Sequence, residues 1–124
     1  QVIIECSLPA EAFVMLSVPL FDWVLENLIK NALDATEGAG KITIMASVQN
    51  KQVNITITDT GKGMDSKTAK QIFEPGYTTK KRGWGLGLPL SKRIMESYHE
   101  GKLFIKQTEP GKGTTFCLQL PLAN

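Results

Sequence analysis

The sequence predicts an α/β fold, a two-layer α+β sandwich with one mixed sheet covered on one face by helices. Two observations carry this. Residues 41–48 and 52–59 alternate apolar and polar with period two, whereas residues 20–35 and 86–99 repeat every three to four residues. The two kinds of segment interleave along the chain, and interleaved strands and helices pack as layers. With 124 residues the chain can bury one core, so residues 1–124 are expected to be a single domain. The first residue is Gln1, not Met, which predicts a piece of a longer chain.

Each element has a local reason. VIIECSL (2–8) and FVMLS (13–17) read as short strands. Ser17 and Pro19 mark a helix start, and Phe21, Val24, Leu25, Leu28, Ala32 and Ala35 form an apolar stripe behind them. TEGAG (36–40) stops that helix. KITIMASV and QVNITITD flank Asn50-Lys51 and predict an antiparallel hairpin. DTGKGMDS (59–66) reads as a turn that ends in a helix cap, before a short helix at 68–73. A loop at 74–85 precedes the second long helix, 86–99, with Leu86, Leu90, Ile94 and Tyr98 as its expected stripe. KLFIKQT (102–108) and TTFCLQLP (114–121) form a closing strand pair.

Composition narrows the function. The chain is 42% hydrophobic and 21% charged, the balance of a soluble globular domain. A net charge of +2 gives no case for nucleic acid. The longest mostly apolar run, AFVMLSVPLF (12–21), is too short to span a bilayer and contains a proline, and no signal peptide is visible. Cys6 and Cys117 lack metal-type spacing and are expected to be small buried thiols. The single His99 is expected to be an ordinary surface or helix-end residue.

Three places break the apolar pattern. Asn27, Asn31 and Asp34 share one side of the first helix, beside Lys30. They are either a solvated face or, through a neutral amide oxygen, ligands for a hard cation such as Mg²⁺. Asp59 continues the inward face of Val53, Ile55 and Ile57. It is either an Asx-turn or a carboxylate left to accept a hydrogen bond from a ligand amine. Gly61 and Gly63 follow, allowing a flat ligand close to the backbone. Finally, Lys80, Lys81 and Arg82 lead into GWGLGL (83–88) and a helix N-terminus. This is either a solvated loop or a phosphate cradle. Neither GxxxxGK[ST] nor GxGxxG occurs.

Taken in order, ENLIKNALDA (26–35), DTGKGM (59–64), IFEPGYTTK (72–80), GWGLGL (83–88) and GKGTTF (111–116) resemble the catalytic ATP-binding domain of bacterial sensor histidine kinases, in the superfamily that also holds gyrase and MutL ATPases. The resemblance runs from about residue 17 to 121. It implies about five strands under three helices with a short ATP lid, and ATP and Mg²⁺ as cofactors. On the matching motifs, Asn31 is implied to coordinate Mg²⁺, with Asn27 near the phosphates as the other catalytic position. Asp59 is implied to take the adenine amine, with Gly61 and Gly63 shaping the base pocket and Thr114 near the adenine. Phe73 and Lys80 are implied to belong to the lid, and Gly83, Gly85, Gly87 and Leu88 to its hinge and the phosphate-facing helix. Trp84, Gly76 and Asp34 depart from the commonest pattern.

The resemblance further implies transfer of the γ-phosphate to a histidine on a separate helical-hairpin dimerisation domain of the same full-length kinase, and a downstream response regulator. It implies a cytoplasmic domain without membrane contact, any inner-membrane anchor lying elsewhere. Gyrase- and MutL-like ATPases carry a glutamate where this chain has Asn27, so hydrolysis is expected to be poor. Two other readings stay open: a stand-alone serine kinase of the anti-sigma type, and a non-catalytic nucleotide-binding regulatory module.

Overall fold

The computed structural model describes residues 2–7, 17–74 and 87–122. Among the described residues five strands build one mixed sheet: β1 (Val2–Ser7), β2 (Gly40–Gln49), β3 (Gln52–Asp59), β4 (Lys102–Glu109) and β5 (Gly113–Pro121). Their order is β1-β2-β3-β5-β4. β1 pairs with β2 in parallel, and the other neighbours pair antiparallel. The described helices are α1 (Val18–Thr36), α2 (Ser66–Gln71) and α3 (Gly87–Tyr98).

Local chemistry explains these boundaries. Ser17 precedes α1 in extended conformation and Pro19 sits in its first turn, where a missing N–H costs nothing. The helix ends at Glu37, whose backbone is left-handed and whose N–H donates to Asp34 O at 3.2 Å. The β2–β3 hairpin turns on Asn50 and Lys51, both at positive φ, as a two-residue turn of matching twist requires. Asp65 caps α2, its Oδ1 accepting from Thr68 N–H at 2.7 Å. That bond holds the exposed Asp65 carboxyl below its ordinary pKa. The expected strand at 13–17 falls almost wholly outside the described residues.

The core lies between the sheet and the long helices. Phe21, Val24, Leu28 and Ala32 of α1 and Ile94 and Met95 of α3 pack on Ile42, Ile57, Leu103, Phe116, Leu118 and Leu120. Each fully buried leucine contributes about 1.5–3 kcal/mol relative to exposure. Cys117 is buried, as expected, and burial pushes its thiol pKa up.

Two expectations need correction. The inner face of α3 is Ser91, Ile94 and Met95; Leu90 and Tyr98 are 42% and 67% exposed. Leu90 sits about 100° around the helix from Ser91, on the flank. At the helix end His99, not Tyr98, takes the inward position. His99 is therefore a helix-end residue, as one of the two alternatives had it, and not a surface one: it is 4% exposed and meets Phe21 edge-on, ring centroids 6.0 Å apart. Its Nε2 accepts from Ser17 N–H at 3.0 Å, so Nδ1 carries the proton and donates to Ile94 O at 3.1 Å. One neutral imidazole thus ties the start of α1 to the end of α3.

Candidate nucleotide-binding site

Asp59 ends β3 on the core face, and it is 4% exposed. Its Oδ1 accepts from Gly61 N–H at 2.9 Å, and the carboxylate also accepts from Thr114 N–H across the sheet. The Asx-turn and the inward carboxylate are therefore one feature. Burial outweighs both hydrogen bonds and raises the Asp59 pKa above its ordinary value.

Glycines let three segments close around this carboxylate. A methyl group on Gly61 would lie 2.3 Å from Ala35 O, and Lys62 N–H donates to that oxygen at 3.0 Å. Gly63 has φ +65°, and a methyl there would lie 1.9 Å from Glu109 O. Gly111 N–H donates to Lys62 O at 2.7 Å, so the 59–64 loop and the β4–β5 turn are stitched together. Thr108 adds a second stitch, which the sequence did not announce: its hydroxyl accepts from Met64 N–H at 3.0 Å and lies 2.8 Å from Thr114 Oγ1.

The amides of α1 meet the start of α3. Asn31 Nδ2 donates to Asn27 Oδ1 at 3.3 Å. A methyl on Gly87 would lie 2.6 Å from Asn27 Nδ2, so a side chain there would push the Asn27 amide aside. Leu88 packs against the core from the first turn of α3. Asp34 is exposed, one turn further along α1. Glu26 is exposed.

Phe73 lies just past α2. It stands edge-on to Phe116 at 6.4 Å, and Lys92 Nζ sits 5.5 Å from its ring centroid while pairing with Glu96 at 2.6 Å. With Met64, Ile105 and Thr108 it lines an open groove of about 550 Å³ between α2 and β4. The groove adjoins the Asp59 end of the sheet but does not contain Asp59 or Asn31. Lys80, Gly83 and Gly85, like Gly76 and Trp84, lie outside the described residues.

The structure thus brings Asp59, Gly61, Gly63 and Thr114 together at one end of the sheet, and Asn27, Asn31 and Gly87 together between α1 and α3. Among the described residues no three His, Cys, Asp or Glu side chains gather into a metal cage. A hard cation here would draw on an amide oxygen, water and the ligand's own phosphates. That donor set fits Asn31.

This layout defines the class of ATPase-type α/β sandwiches. Residues 18–124 match the family model described as histidine kinase-, DNA gyrase B- and HSP90-like ATPase, and the chain belongs to that family. It is 41% identical over 99 residues to Sporulation kinase C of Bacillus subtilis, covering 80% of this chain and 23% of that protein. The chain therefore spans under a quarter of that relative's length. Among solved structures it resembles the nucleotide-free catalytic domain of histidine kinase ThkA at 30% identity and a TM-score of 0.83, over 97% of this chain and 78% of that one. It also resembles ThkA in complex with a response regulator protein, TrrA, at 27% identity and a TM-score of 0.80, over 97% of this chain and 34% of that one. Among the described residues no helix is long and apolar enough to cross a membrane.

Proposed function

We propose that this chain is the catalytic domain of a sensor histidine kinase: it binds Mg-ATP and passes the γ-phosphate to a histidine on a separate helical-hairpin domain of the same protein. The observation that carries the reading is the buried Asp59 carboxylate, held by Gly61 and Thr114 backbone N–H groups at the open end of the sheet. A pre-oriented carboxylate acceptor in that position suits an adenine amine. Gly61 and Gly63 keep side chains away from the base, and the hydroxyl of Thr114 faces it. Asn31 holds the metal with the phosphates, Asn27 flanks them, and the start of α3 at Gly87 and Leu88 supplies backbone N–H groups. Phe73, Lys80, Gly83 and Gly85 complete the nucleotide site. When bound, Mg²⁺ would neutralise phosphate charge; the chain's own part is to orient and to exclude water.

Residues 1–124 form one such domain of a longer, two-component kinase, working in the cytoplasm with a response regulator downstream. Water is a poor acceptor here. Position 27 offers an amide, which cannot take a proton at neutral pH, and exposed Glu26 is turned about 100° away.

Calorimetric titration of Mg²⁺ and a non-hydrolysable ATP analogue into the wild type, Asn31→Ala and Asp59→Ala tests the site. Asp59→Ala is expected to abolish adenine-dependent binding, and Asn31→Ala to remove mainly the metal dependence. Wild-type behaviour in both variants refutes the assignment. Adding a matched helical hairpin then tests transfer: acid-labile phosphate on its histidine is expected. Acid-stable phosphoserine points to a serine kinase, and binding without any phosphorylation to a regulatory module.

A further inference from the structure

A β-bulge decides which β4 side chain faces the Asp59 end of the sheet. Up to Ile105 the strand alternates regularly, with Leu103 opposite Leu118 and Ile105 opposite Phe116 on the helix-bearing face. Unbroken alternation would bring Gln107 opposite Thr114. The register shift between Ile105 and Gln107 instead sets Gln107 opposite Thr115 and Thr108 opposite Thr114. A short hydroxyl stands where a long amide would have stood.

That hydroxyl has one proton to give. Thr108 Oγ1 accepts from Met64 N–H at 3.0 Å, and it can donate either to Thr114 Oγ1 at 2.8 Å or to Gly113 O at 3.4 Å. The shorter contact is the stronger bond. When Thr108 donates to Thr114, the proton of Thr114 is released to point elsewhere. Thr114 lies directly opposite Asp59 in the β3–β5 register.

We propose that Thr108 is a positioning residue for purine recognition, directing the Thr114 hydroxyl proton toward the unprotonated ring nitrogen beside the exocyclic amine that Asp59 takes. The proposal rests on the adenine reading of this site. Adenine presents an amine donor next to a ring acceptor. Hypoxanthine presents a carbonyl next to a ring N–H. An Asp59 acceptor beside a Thr114 donor matches the first pattern and opposes the second, so the bulge contributes to base selectivity without touching the base.

The test is a double-mutant cycle on ADP binding, read by calorimetry with wild type, Thr108→Val, Thr114→Val and the double variant. Thr108→Val is expected to weaken ADP about fivefold, the worth of one net hydrogen bond. In the Thr114→Val background the same change is expected to cost less than about twofold, because both act through one proton. Thr108→Ser is expected to restore wild-type affinity, and Thr108→Val to shrink the preference for ADP over inosine diphosphate. Should circular dichroism show Thr108→Val unfolded, Thr108→Ala takes its place in the cycle. Additive losses, unchanged affinity in Thr108→Val, or no rescue by serine overturns the proposal while leaving the adenine site intact. A wild type that binds no ADP overturns both.

Discussion

Gly63→Ala tests how the base-pocket loop is held. At φ +65° an alanine pays about 1–2 kcal/mol for a left-handed backbone. Its methyl would also lie 1.9 Å from Glu109 O and 2.7 Å from Glu109 C. Ordinary contact needs a retreat of about 1.5 Å, against backbone and not against a side chain that could swing away. That retreat strains the Gly111 N–H to Lys62 O bond and the Met64 N–H to Thr108 bond, each worth about 1 kcal/mol net. Together with about 1–3 kcal/mol of overpacking, the expected loss is about 4–7 kcal/mol. This is a large share of the roughly 5–15 kcal/mol that a domain possesses. Gly38 supplies the control: at φ +89° it has no atom within 4 Å of an added methyl, so Gly38→Ala carries the backbone cost alone. Urea denaturation followed by circular dichroism measures both. If Gly63→Ala loses no more stability than Gly38→Ala, the steric argument is wrong.

Other outcomes follow from the same geometry. His99→Ala removes the acceptor for Ser17 N–H and the edge contact with Phe21, and is expected to cost about 2–4 kcal/mol in urea denaturation; a loss below about 0.5 kcal/mol refutes the latch. Ser91 is fully buried and among the described residues has no hydrogen-bond partner, so Ser91→Ala is expected to be neutral or stabilising by up to about 1 kcal/mol, read as a rise in melting temperature. Asp59 has a raised pKa, so its ionised form destabilises the native state at neutral pH, and that cost fades as pH falls through the raised value. Asp59→Asn is therefore expected to melt at or above the wild type at about pH 8 and to lose that advantage toward about pH 4, while losing adenine binding; a pH-independent difference contradicts the burial argument.

Much of the fold was legible because periodicity is a direct image of one-sided burial. The β2–β3 hairpin is legible in KITIMASV and QVNITITD on either side of Asn50-Lys51, and the alternation of the second strand turns Asp59 inward. Asn27 and Asn31 could be paired because four residues make about one helical turn. Of the expected α3 stripe Ile94 is buried and Leu86 lies outside the described residues, whereas Leu90 and Tyr98 are exposed, because rows of leucine and tyrosine look alike whether they face a neighbour or the flank. Thr108 was invisible because a bulge leaves no mark on alternation until the partner strand fixes the count. The inward turn of His99 depends on Ser17, which lies 82 positions away in the chain.

By itself, then, the sequence determined the element types, the face to which Asp59 belongs, the helical side that carries both asparagines, and the motif order that marks the family. These are properties of neighbours within a few residues, and backbone geometry enforces them locally. Tertiary structure alone decided that Gly63 must clear Glu109, that Gly87 seats against Asn27, and that Thr108 meets Thr114. Each of those contacts joins segments far apart in the chain, and only the packed sheet and helices bring their atoms within bonding distance.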